Sequence, residues 1–390
     1  MIASWEQALG QPVRANPAYR LLLAEDLPPG FLEAVIDLEA RAVGVLAADP
    51  RSGLPDKVVD LAAAQLFSRF AGPAPFPVGS GGEDAGQLAQ LVLDGVLEID
   101  SGNGFISGPV ALEMFAVPDE QPPPEGRLAR LSHDAIAHAE RLALSDADLV
   151  TARLYCFHRV PLSPRWVQEL PGPEVVRRLL AGTASWTKIM QHWADLSSID
   201  PGGDWLHFGR HGGEPLLRSW QLPYKLYVSP HVEAMAEAFP AAVDVLTRLR
   251  APRFKVGSDA IGLLRPDKLV VYLPTADTLG ALTEALNVEL AGVPPHGVPF
   301  SAELAGEGLL SWGGDPRREE APVGSDPESW RLSVCRRLAQ YLVAAQRSRL
   351  QRLTPGGYAL ARLSLDGIDV TRFAPNGLEP PDLRQPVAVL

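Results

Sequence analysis

The chain has 390 residues, of which 46% are hydrophobic and 21% charged, a composition typical of a globular protein with one large or two smaller domains. Its formal net charge of −12 excludes a general nucleic-acid binder, which needs a basic surface. The two cysteines have no metal-ligand spacing and indicate free thiols in a reducing compartment. The N-terminus lacks a signal-peptide pattern, and no apolar run approaches the ~18 residues of a membrane span. We therefore expect a cytoplasmic protein.

Apolar residues at helical spacing predict helices over 30–48, 57–71 and about 85–94, with a Pro/Gly-rich break at 72–82. Asn103-Gly104 lies between two apolar runs and predicts a β-hairpin, so this part is winged-helix-like. The acidic balance makes DNA an unsuitable ligand. A hairpin edge would accept a peptide strand, although a purely structural hairpin is the simpler interpretation. Because 117–126 is typical of a linker, we predict a peptide- or partner-binding region at 1–120 and a second domain at 127–390.

The second domain begins with predicted helices over 128–153 and 173–198, where Trp186 and Trp193 would share one face in the core. Strands are then predicted over 222–228, 253–258 and 268–274, with helices over 230–250 and 276–291. A charged, Gly-rich loop at 306–327, a helix at 328–349 and a last pair of strands within 357–373 complete the chain. This order predicts an α+β fold in which helices flank a mixed or antiparallel sheet.

The familiar catalytic motifs are missing from the sequence. There is no P-loop, no H-E-x-x-H and no G-x-S-x-G, and the Gly-Ser-Gly-Gly run at 79–82 fits none of them. His207 and His211 are four residues apart, but the flanking glycines disfavour a helix and no third ligand is evident. We therefore predict no metal site there.

Cations occupy unusual positions in the predicted strands. Lys225 and Lys255 lie in strand interiors, and Arg265 and Lys268 flank the third strand. Burial of an ammonium group costs several kcal/mol unless it is paired, so such lysines are uncommon. The two-residue period of a strand puts Lys225 and Tyr227 on the same face. One interpretation is a solvated face or charges that protect an edge strand; the other is a site for a dianionic group.

A dianion site of this kind suits one reaction in particular. Clustered cations bind phosphate, and a lysine crowded by other cations has a lowered pKa and serves as a base near pH 7. With a phenol or imidazole as acid, such a site would suit β-elimination of phosphate from phosphorylated Ser or Thr. The base removes the α-proton, the cations stabilise the enolate and the leaving phosphate, and the acid protonates the departing oxygen.

Three segments carry a family resemblance: LRSWQLPYKLYVSP, APRFKVGSDAIGLLRPDKLVVYLP and VPPHGVPFSAELAGEGLLSWGGDP. Together they resemble the Hop-type effector or phospho-Ser/Thr lyase-like family, over roughly residues 205–350. Its members occur as type III effectors and in gene clusters for ribosomally made (RiPP) peptides, including class V lanthipeptides and thioamitides. The resemblance implies a lyase-like domain at 127–390 that carries out dehydration of a precursor peptide (leader plus core) phosphorylated by a partner Ser/Thr kinase. It implies no metal or organic cofactor, no nucleic acid and no membrane.

The more distant similarity to phosphothreonine lyases suggests roles for individual residues. Those enzymes carry a Lys-x-His strand, and Lys225-Leu226-Tyr227 matches it with tyrosine in place of the acid histidine. Lys255 would match the base and Arg265 the phosphate-binding arginine. As an acid, Tyr227 would need nearby cations to lower its pKa, so His207 or His211 stays an alternative. Lys225 and Arg265 would contact the phosphate and the enolate. Further phosphate contacts are open among Arg210, Arg218, Arg317 and Arg318.

The departure at Tyr227 keeps a second function open. The chain would then be a non-catalytic scaffold of the same fold that binds a peptide or a kinase, or an effector that binds a host protein. A lyase is the function that the sequence favours.

Overall fold

In the computed structural model, residues 8, 10–27, 42–52, 54–76, 83–115, 123–181, 186–199, 203–212, 222–316 and 328–381 are described. The chain divides into two compact units. The first comprises Met1–Gln121, Arg318–Pro327 and Gln340–Leu365, and the second comprises Pro122–Arg317, Glu328–Ala339 and Asp366–Leu390. No helix within the described ranges is long and apolar enough to cross a bilayer.

The N-terminal part of the first unit contains two small antiparallel sheets. Its elements are β1 (Pro12–Ala15), β2 (Tyr19–Leu23), β3 (Ala42–Ala48), β4 (Lys57–Asp60), α1 (Leu61–Arg69), β5 (Ala74–Pro75), α2 (Glu83–Leu93), β6 (Leu97–Asp100), β7 (Phe105–Ile106) and α3 (Gly108–Phe115). The strand orders are β5-β1-β6-β7 and β2-β3-β4. The predicted helix at 85–94 is confirmed as α2. The predicted hairpin is confirmed as β6 and β7, whose turn is closed by the Ser101 amide donating to the Gly104 carbonyl at 2.9 Å.

Two helix predictions in this unit are wrong at one end. Residues 42–48 form β3, the central strand of its sheet, because alternating valines suit a strand and β2 and β4 satisfy its backbone on both sides. Residues 30–41 and 77–82 lie outside the described residues. At 57–71, the Lys-Val-Val-Asp segment is β4, and the helix begins only at Leu61. There the Asp60 side chain accepts a hydrogen bond from the Ala63 amide at 2.8 Å and acts as the N-cap.

The rest of the chain alternates helices and strands. Up to residue 257 these are α4 (Gly126–Leu142), α5 (Ala147–Tyr155), α6 (Pro164–Glu169), α7 (Pro173–Ala181), α8 (Trp186–Met190), β8 (Trp193–Asp195), β9 (Trp205–Arg210), β10 (Tyr224–Val228), α9 (Met235–Arg248) and β11 (Arg253–Gly257). They are followed by α10 (Ala260–Leu263), β12 (Leu269–Leu273), α11 (Ala276–Glu289), β13 (Ala302–Ala305), β14 (Leu310–Gly314), α12 (Trp330–Gln346), α13 (Pro355–Leu365), β15 (Ile368–Asp369) and β16 (Ala374–Pro375).

The second unit is built on a seven-stranded sheet in the order β13-β14-β10-β12-β11-β9-β8, with every pairing antiparallel. The α+β prediction is therefore confirmed, as are the strands β10, β11 and β12 and the helices α9, α11 and α12. One face of the sheet is apolar and packs in the main core, with Leu226, Phe254 and Val271 fully buried. The other face carries the polar residues, because side chains alternate along each strand.

Three predictions in this half of the chain are corrected. Residues 310–314 were assigned to a loop because of their glycines, but they form β14 inside the sheet. Gly313 is required there because a Cβ atom would overlap the Trp330 indole. Within 357–373, most residues belong to α13, and only the short β15–β16 pair is strand. Trp193 lies on β8 and not on a helix with Trp186, although both indoles contact core phenylalanines as predicted.

Candidate active site

The register of the sheet assembles the polar face in rows. Paired residues of neighbouring antiparallel strands have side chains on the same face. Across β10, β12, β11 and β9, one row consists of Tyr227, Val270, Lys255 and His207. The next row consists of Lys225, Tyr272, Arg253 and Gly209. The structure thus brings together the predicted residues Lys225, Tyr227 and Lys255, and it adds His207, Arg253 and Tyr272.

Lys255 is half-buried and lies over aromatic rings. Its Nζ is 4.0 Å from the ring centroid of Trp205 and 6.0 Å from that of Tyr272. The guanidinium carbon of Arg265 is 4.7 Å from the same Trp205 centroid, so the two predicted cations share one indole. Among the residues that the structure describes, no carboxylate forms an ion pair with Lys255. The amine therefore lies against π faces and near Arg265, and it is within electrostatic reach of Asp267, the carboxylate that Arg265 binds.

Arg265 belongs to a buried ion cluster around Asp267. Its Nε donates to Asp267 Oδ1 at 3.0 Å, and its Nη2 donates to the Tyr155 hydroxyl at 2.6 Å. On the other side, Arg331 Nη1 is 2.8 Å from Asp267 Oδ2, and the Arg331 side chain is almost fully buried. Burial would raise the pKa of Asp267, but Arg331 and Arg265 hold it well below its usual range. The carboxylate is ionised and fixes the guanidinium of Arg265.

Lys225 is buried and paired. Its Nζ is 2.6 Å from Asp315 Oδ2, and it lies 5.3 Å from the Tyr272 ring centroid. The other carboxylate oxygen of Asp315 accepts a hydrogen bond from the Trp330 amide at 2.8 Å, at the start of α12. Asp315 therefore fixes Lys225 to the first turn of this helix. No local pattern in the sequence indicates this partner, because the pairing depends on β14.

Tyr227 is not activated as an acid. Its side chain is 2% exposed, and burial, reinforced by Asp315, raises the pKa of its hydroxyl well above 10. Arg331 acts in the opposite direction but does not offset the burial. The lowered pKa that Tyr227 would need in order to act as the acid is therefore not found.

The two histidines of the HFGRHGG segment have different environments. His207 lies on β9 directly beside Lys255, is 6% exposed, and has its Nδ1 3.5 Å from Nη2 of Arg253. His211 lies beyond the end of β9, where its Nε2 is 3.1 Å from the Met190 carbonyl oxygen. Only His207 belongs to the polar face.

The predicted phosphate-binding arginines do not gather at this face. Arg210 alternates with Gly209 and points to the opposite side of the sheet, where its Nη1 donates to the Thr247 carbonyl at 3.1 Å. It is not part of the candidate site. Arg218, Arg317 and Arg318 lie outside the described residues. Arg253, which is not among the predicted phosphate contacts, occupies the polar face instead.

Lys268 follows Arg265 and Asp267 at the start of β12 and is completely buried. Its Nζ donates to the Pro230 carbonyl at 2.9 Å and lies 2.7 Å from Nδ1 of His296. Nε2 of His296 is 2.7 Å from the His158 carbonyl, which can only accept, so Nε2 carries the proton and Nδ1 accepts from Lys268. Burial lowers the pKa of Lys268 to about 7 and that of His296 to about 3, the latter with help from Lys268.

Neither a family model nor a curated protein matches the chain. Among solved structures, it is similar to an effector protein from Pseudomonas syringae pv. tomato strain DC3000, with 13% identity, a TM-score of 0.38, and coverage of 65% of this chain and 99% of that one. It is also similar to the type III effector and phosphothreonine lyase OspF from Shigella flexneri, with 13% identity, a TM-score of 0.27, and coverage of 33% of this chain and 77% of that one. A third similar structure is the phosphothreonine lyase effector VirA (SpvC) from Chromobacterium violaceum, with 16% identity, a TM-score of 0.25, and coverage of 46% of this chain and 86% of that one. With identities and scores this low, the activity of the chain must be argued from its own residues.

Proposed function

We propose that this chain is a carbon–oxygen lyase that eliminates phosphate from phosphoserine and phosphothreonine residues of a ribosomal precursor peptide. The products are dehydroalanine and dehydrobutyrine, and a partner Ser/Thr kinase supplies the phosphorylated substrate. One observation carries the proposal: the amine of Lys255 lies on a sheet face among Arg253, Arg265 and Lys225, with no carboxylate paired to it in the described part of the chain. The sequence resemblance to phospho-Ser/Thr lyases supports it.

In the proposed reaction, the amine of Lys255 acts as the base and accepts the proton from Cα of the phosphorylated residue. The electron pair of that C–H bond is first held as the enolate of the adjacent carbonyl. It then forms the Cα=Cβ double bond as the Cβ–O bond breaks, and the electrons of the Cβ–O bond leave with the phosphate. Lys225 and Arg265 stabilise the negative charge of the enolate and of the departing phosphate. The step as written balances without a metal ion or an organic cofactor.

The departing oxygen needs a proton, and we assign this role to His207. It is the strand neighbour of Lys255, so an imidazolium there reaches the same substrate group as the base. A bound dianion favours the protonated imidazole. Tyr227, the acid that the sequence predicts, is two strands away from Lys255, and its raised pKa makes it a weaker donor.

The reaction is tested with a synthetic phosphothreonine peptide, with and without a leader segment, followed by mass spectrometry. Wild-type protein is expected to release phosphoric acid from the peptide. Lys255→Arg keeps the positive charge but cannot supply a neutral base, so it should bind the peptide and leave its mass unchanged. Lys255→Ala should also be inactive. Elimination by Lys255→Arg at the wild-type rate would contradict the assignment of the base.

The alternative function is a non-catalytic scaffold, or an effector, that binds a phosphorylated peptide or a kinase. It is favoured by the tyrosine that stands in the Lys-x-His position and by the Asp315 carboxylate that already neutralises Lys225. In this case the same assay gives saturable binding of the phosphopeptide with no change in mass, whichever kinase or leader is added.

We assign leader or kinase binding to residues 1–120 and the elimination to the lyase-like domain at 127–390, with its core at 205–350. Strand β2 supports the first assignment, since within the described residues it stands at the edge of the β2-β3-β4 sheet, the position at which a peptide strand is added. Hydrogen exchange of the full chain with a leader peptide tests this. Slower exchange at 19–23 is expected, whereas protection only beyond residue 127 would contradict it.

A further inference from the structure

Arg253 is a cation of the polar face that has no role in the proposed reaction. It lies on β11 two residues before Lys255, so both side chains point to the same side of the sheet. Its strand neighbours are Gly209 on β9 and Tyr272 on β12. The side chain is half-buried and therefore lies within the face and not at its rim.

The row that contains Arg253 has a glycine at each end. A Cβ on Gly209 or Gly313 would meet a covering side chain, Leu196 beside the first and Trp330 beside the second. Tyr272 lies between Lys225 and Arg253 in the same row. Lys225 Nζ and the guanidinium carbon of Arg253 are each 5.3 Å from the Tyr272 ring centroid, on neighbouring strands to either side. The Arg253 row thus has apolar side chains over its ends and positive charge at its centre.

The cations of the candidate site differ in how they are neutralised. Lys225 is paired with Asp315, and Arg265 with Asp267. Within the ranges that the structure describes, no carboxylate is paired with Arg253. Its Nε is buried without a hydrogen-bond partner there, and its Nη2 is only within 3.5 Å of His207 Nδ1. A partly desolvated guanidinium with unused donors favours an anion from outside the described fold.

We propose that Arg253 is a ligand of the substrate's phosphoryl group, which it holds beside the amine of Lys255. This inference rests on the proposed function and deepens it. The guanidinium fork donates two N–H groups to phosphate oxygens, a geometry that lysine cannot reproduce. Since Arg253 also borders His207, it holds the leaving group between the base and the proposed acid.

The test uses a peptide in which a phosphonate with a carbon–phosphorus bond replaces phosphothreonine, so that no elimination occurs. Binding to the full chain is measured by isothermal titration calorimetry. Arg253→Gln should raise Kd about 10- to 100-fold, because charge-assisted hydrogen bonds are lost, and Arg253→Lys should give an intermediate value. Arg248→Gln, which removes an exposed arginine from the end of α9, is the charge-matched control and should bind like the wild type. Wild-type affinity in Arg253→Gln would overturn the proposal.

The outcome is separable from that of the lyase proposal. If binding depends on Arg253 but phosphopeptides keep their mass, the anion site stands and the elimination fails. If Arg253→Gln eliminates phosphate with wild-type kcat and KM, the elimination stands and the anion site at Arg253 fails. Should the glutamine variant not fold, phenylglyoxal modification of the wild-type protein gives the answer. The phosphonate peptide should protect Arg253 and not Arg248, and equal modification of Arg253 with and without the peptide would overturn the proposal.

Discussion

Replacement of the buried Lys268 by methionine should change how the stability of the second unit depends on pH. The pKa of Lys268 is about 7 in the folded chain and 10.5 for an ordinary lysine. Between these values the unfolded chain binds more protons than the folded chain, so the stability of the wild type rises with pH. Below pH 7 both states are protonated, and the contribution of Lys268 is constant.

The magnitude follows from this shift. One pH unit well inside the window corresponds to about 1.4 kcal/mol per proton. Because the folded-state amine is only half deprotonated at pH 7, Lys268 adds about 2 kcal/mol to wild-type stability between pH 7 and pH 9. In Lys268→Met this gain is absent. The variant also leaves the Pro230 carbonyl and His296 Nδ1 without their donor, which lowers its free energy of unfolding further. This loss does not change with pH in the window, because His296 is already neutral there.

The assay is urea unfolding followed by tryptophan fluorescence at several pH values between 7 and 9.5. Fluorescence suits the second unit, because its core contains Trp193, Trp205 and Trp312. The free energy of unfolding of the wild type, minus that of Lys268→Met, should rise steadily with pH. For the exposed control Arg248→Met, the corresponding difference should stay flat. A flat difference for Lys268→Met as well would refute the lowered pKa of the buried amine.

Three further predictions concern the ion cluster, the acid and the thiols. Asp267→Asn should lower the free energy of unfolding by about 3–5 kcal/mol in urea titrations, because two buried arginines lose their counter-ion; a loss below about 1 kcal/mol would contradict this. In the phosphopeptide assay, Tyr227→Phe should keep kcat within a few-fold, whereas His207→Gln should lose about 10²–10⁴-fold, and the opposite ranking would return the acid role to the phenol. Cys156 is exposed and should react rapidly with a disulfide reagent in the native protein. Cys335 should react only after unfolding, because burial raises the pKa of its thiol to about 12; its rapid native reaction would contradict that burial.

The sequence predicted the strands β10, β11 and β12 because their pattern is local. In β10 and β11, charged or polar residues alternate with large apolar ones, so the period of two is visible within five residues. The pattern failed where small residues fit several structures. Residues 42–48 and 310–314 are rich in alanine and glycine, and their strand state depends on neighbours that lie far along the chain. The periodicity within a segment carries no information about those neighbouring strands.

The candidate site was predictable only in part for a similar reason. The lysines at 225 and 255 are conspicuous because they interrupt apolar strands. Asp315, Asp267 and Arg331 lie in polar segments, where charged residues are ordinary, and their importance depends on being buried together. Arg253 precedes a buried phenylalanine at a strand end and looks like a surface residue. The alternation Arg-Phe-Lys was the one signal that indicated a shared face with Lys255.

The cation cluster of the candidate site belongs to a chain with a net charge of −12, and this contrast affects how a phosphorylated peptide approaches. Far from the surface an anionic peptide is repelled by the whole molecule, and attraction takes over only within about one Debye length, ~10 Å at 0.1 M salt. Moderate salt weakens the long-range repulsion first, so association should be fastest at an intermediate ionic strength. Peptides with basic residues away from the phosphate would avoid the barrier altogether.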